Sequence, residues 1–286
     1  MASEVRRLRA GDEPLLFEFL DRHIDTSLFL ISNAEHAGLE DHGKALQGTY
    51  VASLEDGAMT AVACHCWNGN LLLQGDRGLE EAVLGAIDRT GRPVKGLMGS
   101  VALVKRAREA LGLTASPARL EEAERLFTLD LAALEVPPLL SRPGIEFRVP
   151  TAAEVAGPLA EYRKVYLVET LHTPESPELL ATARAQVEGW NRGGRLWVLA
   201  DSGRVVSMTA FSANARGVVL VGGVYTPSEL RSRGYARAAV AGSLLHARSQ
   251  GSRRSVLFTP ESNVPAQRTY RALGYEDVGD WGLVLF

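Results

Sequence analysis

Apolar positions along the chain fall into short strand-like runs and longer helical ones, and the same succession of runs occurs twice. In the second half Ile145–Val149 reads as a short strand, and helical stretches follow over Thr151–Val168 and Pro177–Trp190. Thr151 with Glu154 three residues later is a capping-box pair, so it marks the first helix start. Leu196–Ala200, Val205–Ala213 and Val218–Tyr225 are rich in β-branched and apolar residues and read as strands. Asp201-Ser202-Gly203 and Asn214-Ala215-Arg216-Gly217 supply the turns between them. Ala236, Ala239, Val240, Ser243, Leu244 and Ala247 recur at helical spacing within Tyr235–Arg248. A strand at Ser255–Thr259, a helix at Val264–Leu273 and a strand at Gly282–Phe286 complete the order β-α-α-β-β-β-α-β-α-β.

The first half gives nearly the same order. Val5–Leu8 is a strand, Glu13–His23 and Ser27–Ala37 are helical, and Thr49–Leu54, Met59–His65 and Asn70–Leu73 are strands. A helix over Leu79–Arg89, a strand at Val94–Met98, a helix at Leu103–Leu111 and a strand near Phe127–Leu131 follow. Arg108-Glu109-Ala110-Leu111-Gly112-Leu113 echoes Tyr270-Arg271-Ala272-Leu273-Gly274-Tyr275, and with the shared order this suggests an internal duplication. Between the halves, Val136–Gly144 holds three prolines and a glycine and cannot continue a helix or a central strand. The expected organisation is therefore a domain over 1–136, a linker over 137–144 and a domain over 145–286.

Composition narrows the function classes. A chain of 286 residues, 46% hydrophobic and 23% charged, is globular, and it accommodates one large domain or two ordinary ones. A formal charge of −3 gives no footprint for nucleic acid or an anionic membrane, so the expected partners are small molecules or proteins. Cys64 and Cys66, the only cysteines, share one face of a strand and cannot staple a fold. A metal reading of Cys64-His65-Cys66 is the alternative to buried thiols, which are favoured because a strand turns His65 to the opposite face and there is no second cluster; no metal is expected. The first residues lack the apolar core of a signal peptide, and no apolar stretch is long enough to span a bilayer; a cytoplasmic location is the expectation.

Two segments carry candidate chemistry. Val224 to Ala236 reads as strand end, turn and helix start at Gly234. Unpaired amides and the positive dipole end there make an anion site, with Arg231 and Arg233 adding charge. An ordinary strand-to-helix turn with two solvated arginines is the alternative for this segment alone. Downstream, Asn263 starts a helix that closes on Gly274, and Tyr270 follows Ala266 on one face at i+4.

Together these segments resemble those of the GNAT superfamily of N-acetyltransferases. The family signature Arg/Gln-x-x-Gly-x-Gly/Ala at the start of the central helix is matched by Arg231, Gly234 and Ala236. Its second segment is matched by Asn263, Tyr270, Gly274 and Tyr275. One departure is that three residues separate Pro227 from Arg231, where many members have two. The resemblance implies an α+β (mixed α/β) fold of two GNAT-like domains, each a mostly antiparallel twisted sheet flanked by helices. It also implies acetyl-CoA as cosubstrate and an amine as acceptor.

Under the resemblance, acetyl-CoA lies in a cleft between the strands ending at Tyr225 and Thr259. Backbone groups of Val224, Tyr225 and Thr226 hold its pantetheine arm, with an N–H at Val224 or Tyr225 polarising the thioester. Arg231, Ser232, Arg233, Gly234, Tyr235 and Ala236 cradle its phosphates, and Asn263, Ala266 and Tyr270 complete the site. Tyr270 is the proton donor to the leaving thiolate, a tyrosine's reference pKa being about 10 against about 8.5 for a thiol. Glu169 leads as general base, ahead of Glu229 and His172; a solvated surface role is the ordinary reading for each, and a water chain can serve instead. Trp190, Trp197, Tyr162 and Tyr166 are candidates to line the acceptor pocket, although aromatics at these spacings more often build core.

In the first half Gly78 aligns with Gly234, which puts Gly75 at the Arg231 position and Glu80 at the Ala236 position; Val101 and Arg108 replace Asn263 and Tyr270. A carboxylate beside a pyrophosphate is repulsive, so this half is expected to lack a coenzyme site. Structural support, a homodimer contact or shaping of the acceptor pocket are the roles left to it. Two other functions fit the sequence less well: a non-catalytic acyl-CoA-binding or regulatory module, and a tRNA-dependent aminoacyltransferase.

Overall fold

Thr151 begins a helix that Gly157 soon interrupts. The Thr151 Oγ1 accepts from the Glu154 N–H at 3.3 Å and the Glu154 carboxylate accepts from the Thr151 N–H at 2.7 Å, a reciprocal capping box. Gly157, at φ −106° and ψ −104°, leaves the helical region, and Pro158 restarts the helix at its first position. The stretch expected as one helix over Thr151–Val168 is therefore two.

The computed structural model describes residues 3–286. Its first elements are β1 (Ser3–Arg7), α1 (Glu13–Asp21), α2 (Ile24–Ala37), β2 (Gly48–Glu55), β3 (Ala58–Cys66) and β4 (Asn70–Gly75). Then come α3 (Leu79–Thr90), β5 (Gly96–Gly99), α4 (Val101–Ala110), β6 (Leu120–Asp130) and β7 (Ile145–Arg148). The split helix gives α5 (Ala152–Ala156) and α6 (Pro158–Leu171), followed by α7 (Leu179–Arg192), β8 (Leu196–Asp201), β9 (Arg204–Ala215) and β10 (Val218–Tyr225). The chain ends with α8 (Tyr235–Ser249), β11 (Arg254–Pro260), α9 (Val264–Arg271) and β12 (Glu276–Leu285).

Arg148 grips Glu154 in a fork, Nη1 to Oε2 at 2.8 Å and Nη2 to Oε1 at 2.7 Å. That grip holds the carboxyl at about 2, below the usual carboxylate range. The folded-state value lies below the unfolded one, so the contribution is complete above roughly pH 4.5 and is lost as pH falls below it. Both side chains are partly wet, so Glu154→Gln is expected to cost about 1 kcal/mol at pH 7, read from the urea midpoint, and close to nothing near the bottom of that range. An equal cost at both ends would show that the cap alone, not the ion pair, supplies the stability.

The chain forms two compact units: residues up to Arg125 with Gly279–Phe286, and Leu126–Val278. These are not the sequence halves 1–136 and 145–286. In the first unit β1–β2, β2–β3 and β3–β4 pair antiparallel, and β4–β5 pair parallel through Asn70–Leu72 and Gly96–Met98. In the second, β7–β8, β8–β9 and β9–β10 pair antiparallel, and β10–β11 pair parallel through Val218–Leu220 and Arg254–Val256. The repeated pairing scheme matches the repeated order of elements. Each unit is thus a mixed α+β sheet with helices packed on it.

Two expectations about the chain's course change. Gly282–Leu285, read as the closing strand of the second half, pairs antiparallel with Gly96–Gly99 in the first unit. The segment 137–144, read as a linker, contains a 3₁₀ turn over Pro138–Ser141, and Leu139 and Leu140 pack on the core of the second unit. That core includes Leu199, Val206, Leu230, Tyr235, Ala238 and Ala239 on one face of the sheet. Leu159, Val187, Val198, Met208 and Ala210 form the layer under α6 and α7 on the other.

Candidate active site

The parallel ladder between β10 and β11 has three rungs and ends at Leu220 and Val256, although β10 continues to Tyr225 and β11 to Pro260. Past this point β10 also breaks register with β9, between Leu220 and Val221 and again between Gly222 and Tyr225. The second break is a bulge, which takes residues out of the ladder and turns their backbone groups aside. Gly223 makes it possible. Its φ is +60°, and a Cβ there would come within 2.8 Å of Trp190 Cη2 and 3.0 Å of Cζ3. The outer edge of the Trp190 ring therefore lies against the bulged backbone.

After β10 the chain passes through a 3₁₀ turn over Ser228–Leu230 and enters α8 at Gly234. Gly234 has a φ of +80° and no side chain caps the helix, so its first amides carry the positive end of a 15-residue dipole without an internal acceptor from a cap. Tyr235, included among the expected phosphate-cradle residues, turns its ring into the core and donates its hydroxyl to Asp201 Oδ2 at 2.6 Å. Its side chain is thereby unavailable to the expected cradle. Ala236 is partly exposed beside it, and Ser232 and Arg233 are exposed, with Arg233 Nη2 donating to the Glu229 carbonyl at 3.1 Å.

Arg231 and Glu169, expected to serve different ends of the reaction, are bonded to each other. Arg231 Nη2 donates to Glu169 Oε2 at 2.9 Å and Nε donates to the Thr226 carbonyl at 3.1 Å. The guanidinium also lies 5.8 Å from the Tyr225 ring centroid, and its pKa is raised, chiefly by the Glu169 bond. The Tyr225 carbonyl accepts from Ser207 Oγ at 3.1 Å. The carbonyls of Tyr225 and Thr226 thus already have internal donors. Of the other base candidates, Glu229 pairs with Arg204 at 3.5 Å, and exposed His172 occupies the left-handed position ending α6.

Asn263 caps α9, its Oδ1 accepting from the Ala266 N–H at 3.2 Å. The cap sets the helix so that Tyr270 enters the apolar cluster that also holds Val219 and Val221, with Val224 and Ala266 against its edge. The Tyr270 ring is 9% exposed and packs on Phe127 and Tyr275, at centroid distances of 6.3 and 5.9 Å. Tyr275 is buried, which pushes its pKa up against the opposing effect of its bond to Ser255.

Comparison with proteins of known sequence and structure follows the same segment. Residues 165–275 match the acetyltransferase (GNAT) family model, and no curated protein matches the chain. Among solved structures, a Drosophila protein superposes with a TM-score of 0.70 at 11% identity, over 100% of this chain and 99% of the other. A tandem GNAT protein from the clavulanic acid biosynthesis pathway gives 0.60 at 14% identity, over 99% and 98%. A GCN5-related N-acetyltransferase from Sphaerobacter thermophilus gives 0.58 at 16% identity, over 99% and 94%. The chain has a GNAT acetyltransferase fold.

The GNAT-matched segment runs from within α6 to Tyr275 and includes every candidate coenzyme-site residue and the three base candidates, but not Tyr162. Of the four aromatics considered for an acceptor pocket, Trp197 is core, stacked among Phe147, Phe211 and His246 on the α8 face. Tyr162, Tyr166 and Trp190 stand on the α6–α7 face, Tyr162 with its ring 5.3 Å from that of Tyr225. The sequence reading passed over Gly223 and Arg163. A Gly-Gly pair inside a strand pattern is a bulge signal; one arginine in a helix carries none.

Outside the GNAT-matched segment, the first unit repeats the three-rung parallel ladder and starts α3 at a left-handed glycine, Gly78. There Arg106 donates to both Glu80 oxygens at 2.7 and 2.8 Å and to Asp76 Oδ1 at 2.7 Å. Its own carboxylate and guanidinium stand at the start of α3. No helix of the described residues is long and apolar enough to cross a membrane, and no cluster of three or more metal-ligating side chains occurs among them.

Proposed function

We propose that the second unit transfers an acetyl group from acetyl-CoA to a primary amine of a small molecule or peptide, by direct attack in a ternary complex. One observation carries this reading: β10 parts from β11 and bulges at Gly223 just before α8 opens with uncapped amides at Gly234. A glycine at that helix start leaves room for a phosphate to meet the amides, and the dipole favours its charge. The parted strands supply a slot whose walls are backbone. Arg231, Ser232, Arg233 and Ala236, with the backbone of Tyr235, form the proposed phosphate cradle. Val224, Tyr225 and Thr226 line the slot, and Asn263 and Ala266 close it.

In the reaction the amine nitrogen bonds the thioester carbon and the carbon–sulfur bond breaks. An N–H of the bulged strand at Val224 or Tyr225 stabilises the charge that gathers on the carbonyl oxygen. The acceptor ammonium first gives up a proton, directly or through water, to Glu169, which Arg231 holds at the strand's end. Tyr270 delivers a proton to the sulfur, and the tyrosine regains one from solvent.

An acceptor-amine panel with acetyl-CoA, followed by thiol release, tests the reading; bound coenzyme without turnover on any amine would leave a binding module instead. Glu169→Gln is expected to lower kcat/KM about tenfold. An unchanged kcat/KM would assign the proton to a water chain.

A further inference from the structure

The α6–α7 side of the second unit holds a buried cation that the reaction above does not use. Arg163 is 8% exposed, and its Nε donates to Gln186 Oε1 at 2.7 Å. Its guanidinium carbon lies 4.8 Å from the Tyr166 ring centroid and 4.9 Å from that of Trp190. Among the described residues no carboxylate pairs with it. Burial pulls its pKa down, and a hydrogen bond with Tyr166 only partly opposes this, the mark of a cation whose lost hydration is not repaid by a carboxylate. A carboxamide and two rings would tie α6 to α7 as well around a neutral side chain. The charge itself lacks a structural use.

Its position gives it one. Trp190, on which Arg163 stacks, is the residue lying against Gly223 at the bulge. The guanidinium is therefore one indole away from the strand where the transferred carbonyl is placed. Next to it, Arg195 donates its backbone N–H to the Trp190 carbonyl at 2.9 Å and its Nη1 to the Ser212 carbonyl at 3.2 Å. Arg195 is half-buried and likewise has no acid against it; burial alone lowers its pKa. The nearby acids Glu169 and Glu229 are matched by Arg231 and Arg204.

Resting on the acetyltransferase reading, we propose that the acceptor is an amine that also carries an oxyanion, and that Arg163 binds that oxyanion beside Trp190. A guanidinium set against two rings, with Nε on Gln186 and a further bond to Tyr166, is a planar donor of the kind suited to carboxylate or phosphate oxygens. The same positive field disfavours an acceptor with a second ammonium.

The test uses the full chain with acetyl-CoA and four matched amines: 4-aminobutyrate, 3-aminopropylphosphonate, butylamine and 1,4-diaminobutane. The acidic amines are expected to exceed butylamine in kcat/KM by roughly 10- to 100-fold, mainly through KM. The order of the carboxylate and the phosphonate identifies the oxyanion. Arg163→Gln is expected to bring the acid-to-neutral ratio to within about twofold of one. Arg163→Lys, which keeps the charge and loses the fork, gives an intermediate ratio and carries the test if the glutamine variant does not fold. An unchanged ratio in the variants, or a preference for the diamine, overturns the proposal. If no amine releases thiol, the acetyltransferase reading fails separately, and calorimetry of the two acidic amines with the protein alone decides for Arg163. Binding lost in Arg163→Gln then supports the oxyanion site, and no binding in the parent protein overturns it.

Discussion

Tyr270→Phe should leave the fold intact and remove most of the turnover. The phenyl ring keeps its contacts with Phe127 and Tyr275, so unfolding free energy should move by no more than about 1 kcal/mol, the worth of one hydroxyl's hydrogen bonding. If the hydroxyl protonates the departing sulfur, kcat should fall by roughly 10²- to 10⁴-fold. The KM for acetyl-CoA should change little, because the ring remains as a wall of the slot. A steady-state comparison with a thermal melt on the same samples separates the effects. Unchanged kcat in a folded variant would make Tyr270 a core residue that happens to sit beneath the strand.

Gly223→Ala should damage both stability and activity. The new Cβ would stand 2.8 Å from Trp190 Cη2 in a backbone conformation that L-residues enter at a cost. Left-handed strain and overpacking together should cost about 2–4 kcal/mol, lowering the melting midpoint by roughly 5–15 °C. Any relief comes from moving Trp190 or flattening the bulge, and a flattened bulge returns Gly223 and Val224 to the ladder and shifts the register of Tyr225. We therefore expect kcat to fall at least about tenfold even in samples that remain folded. Replacing Trp190 by Phe in the same chain should recover part of the stability, since the reaching atoms belong to the outer indole ring. Recovery of stability without activity would locate the catalytic loss in the backbone path rather than the clash.

Much of the element order was readable because it rests on local spacing, and the repeat of that order reappears as a repeat of strand pairings. The helix break is marked in the sequence by the Gly157-Pro158 pair, a breaker signal that the capping box upstream outweighed in the expectation of one helix. The destination of the last strand, by contrast, was hidden. Gly282–Phe286 is a continuous apolar run like many buried strands, and nothing within it says which neighbouring strand it joins. At the candidate site, the Gly234 helix start and the Asn263 cap follow from residue types with narrow backbone roles. The Arg231–Glu169 pair joins residues 62 positions apart, and its formation depends on how α6 is laid beside the turn after β10. Arg163 is the extreme case: only the removal of water around it distinguishes it from a surface arginine.

The placement of Gly279–Phe286 in the first unit bears on how the protein is made. During synthesis these residues emerge only after the whole of Leu126–Val278, so the ribosome has released every other part of both units before β5 receives its partner. Until that moment Gly96–Gly99 presents an open edge, the kind of surface on which nascent chains cross-associate. Vectorial synthesis thus imposes a schedule: the second unit is free to close early, and the unit begun first is finished last. A fragment cut at the proline-rich segment would inherit a strand with no sheet to join, and its partner fragment a sheet with an unfilled edge.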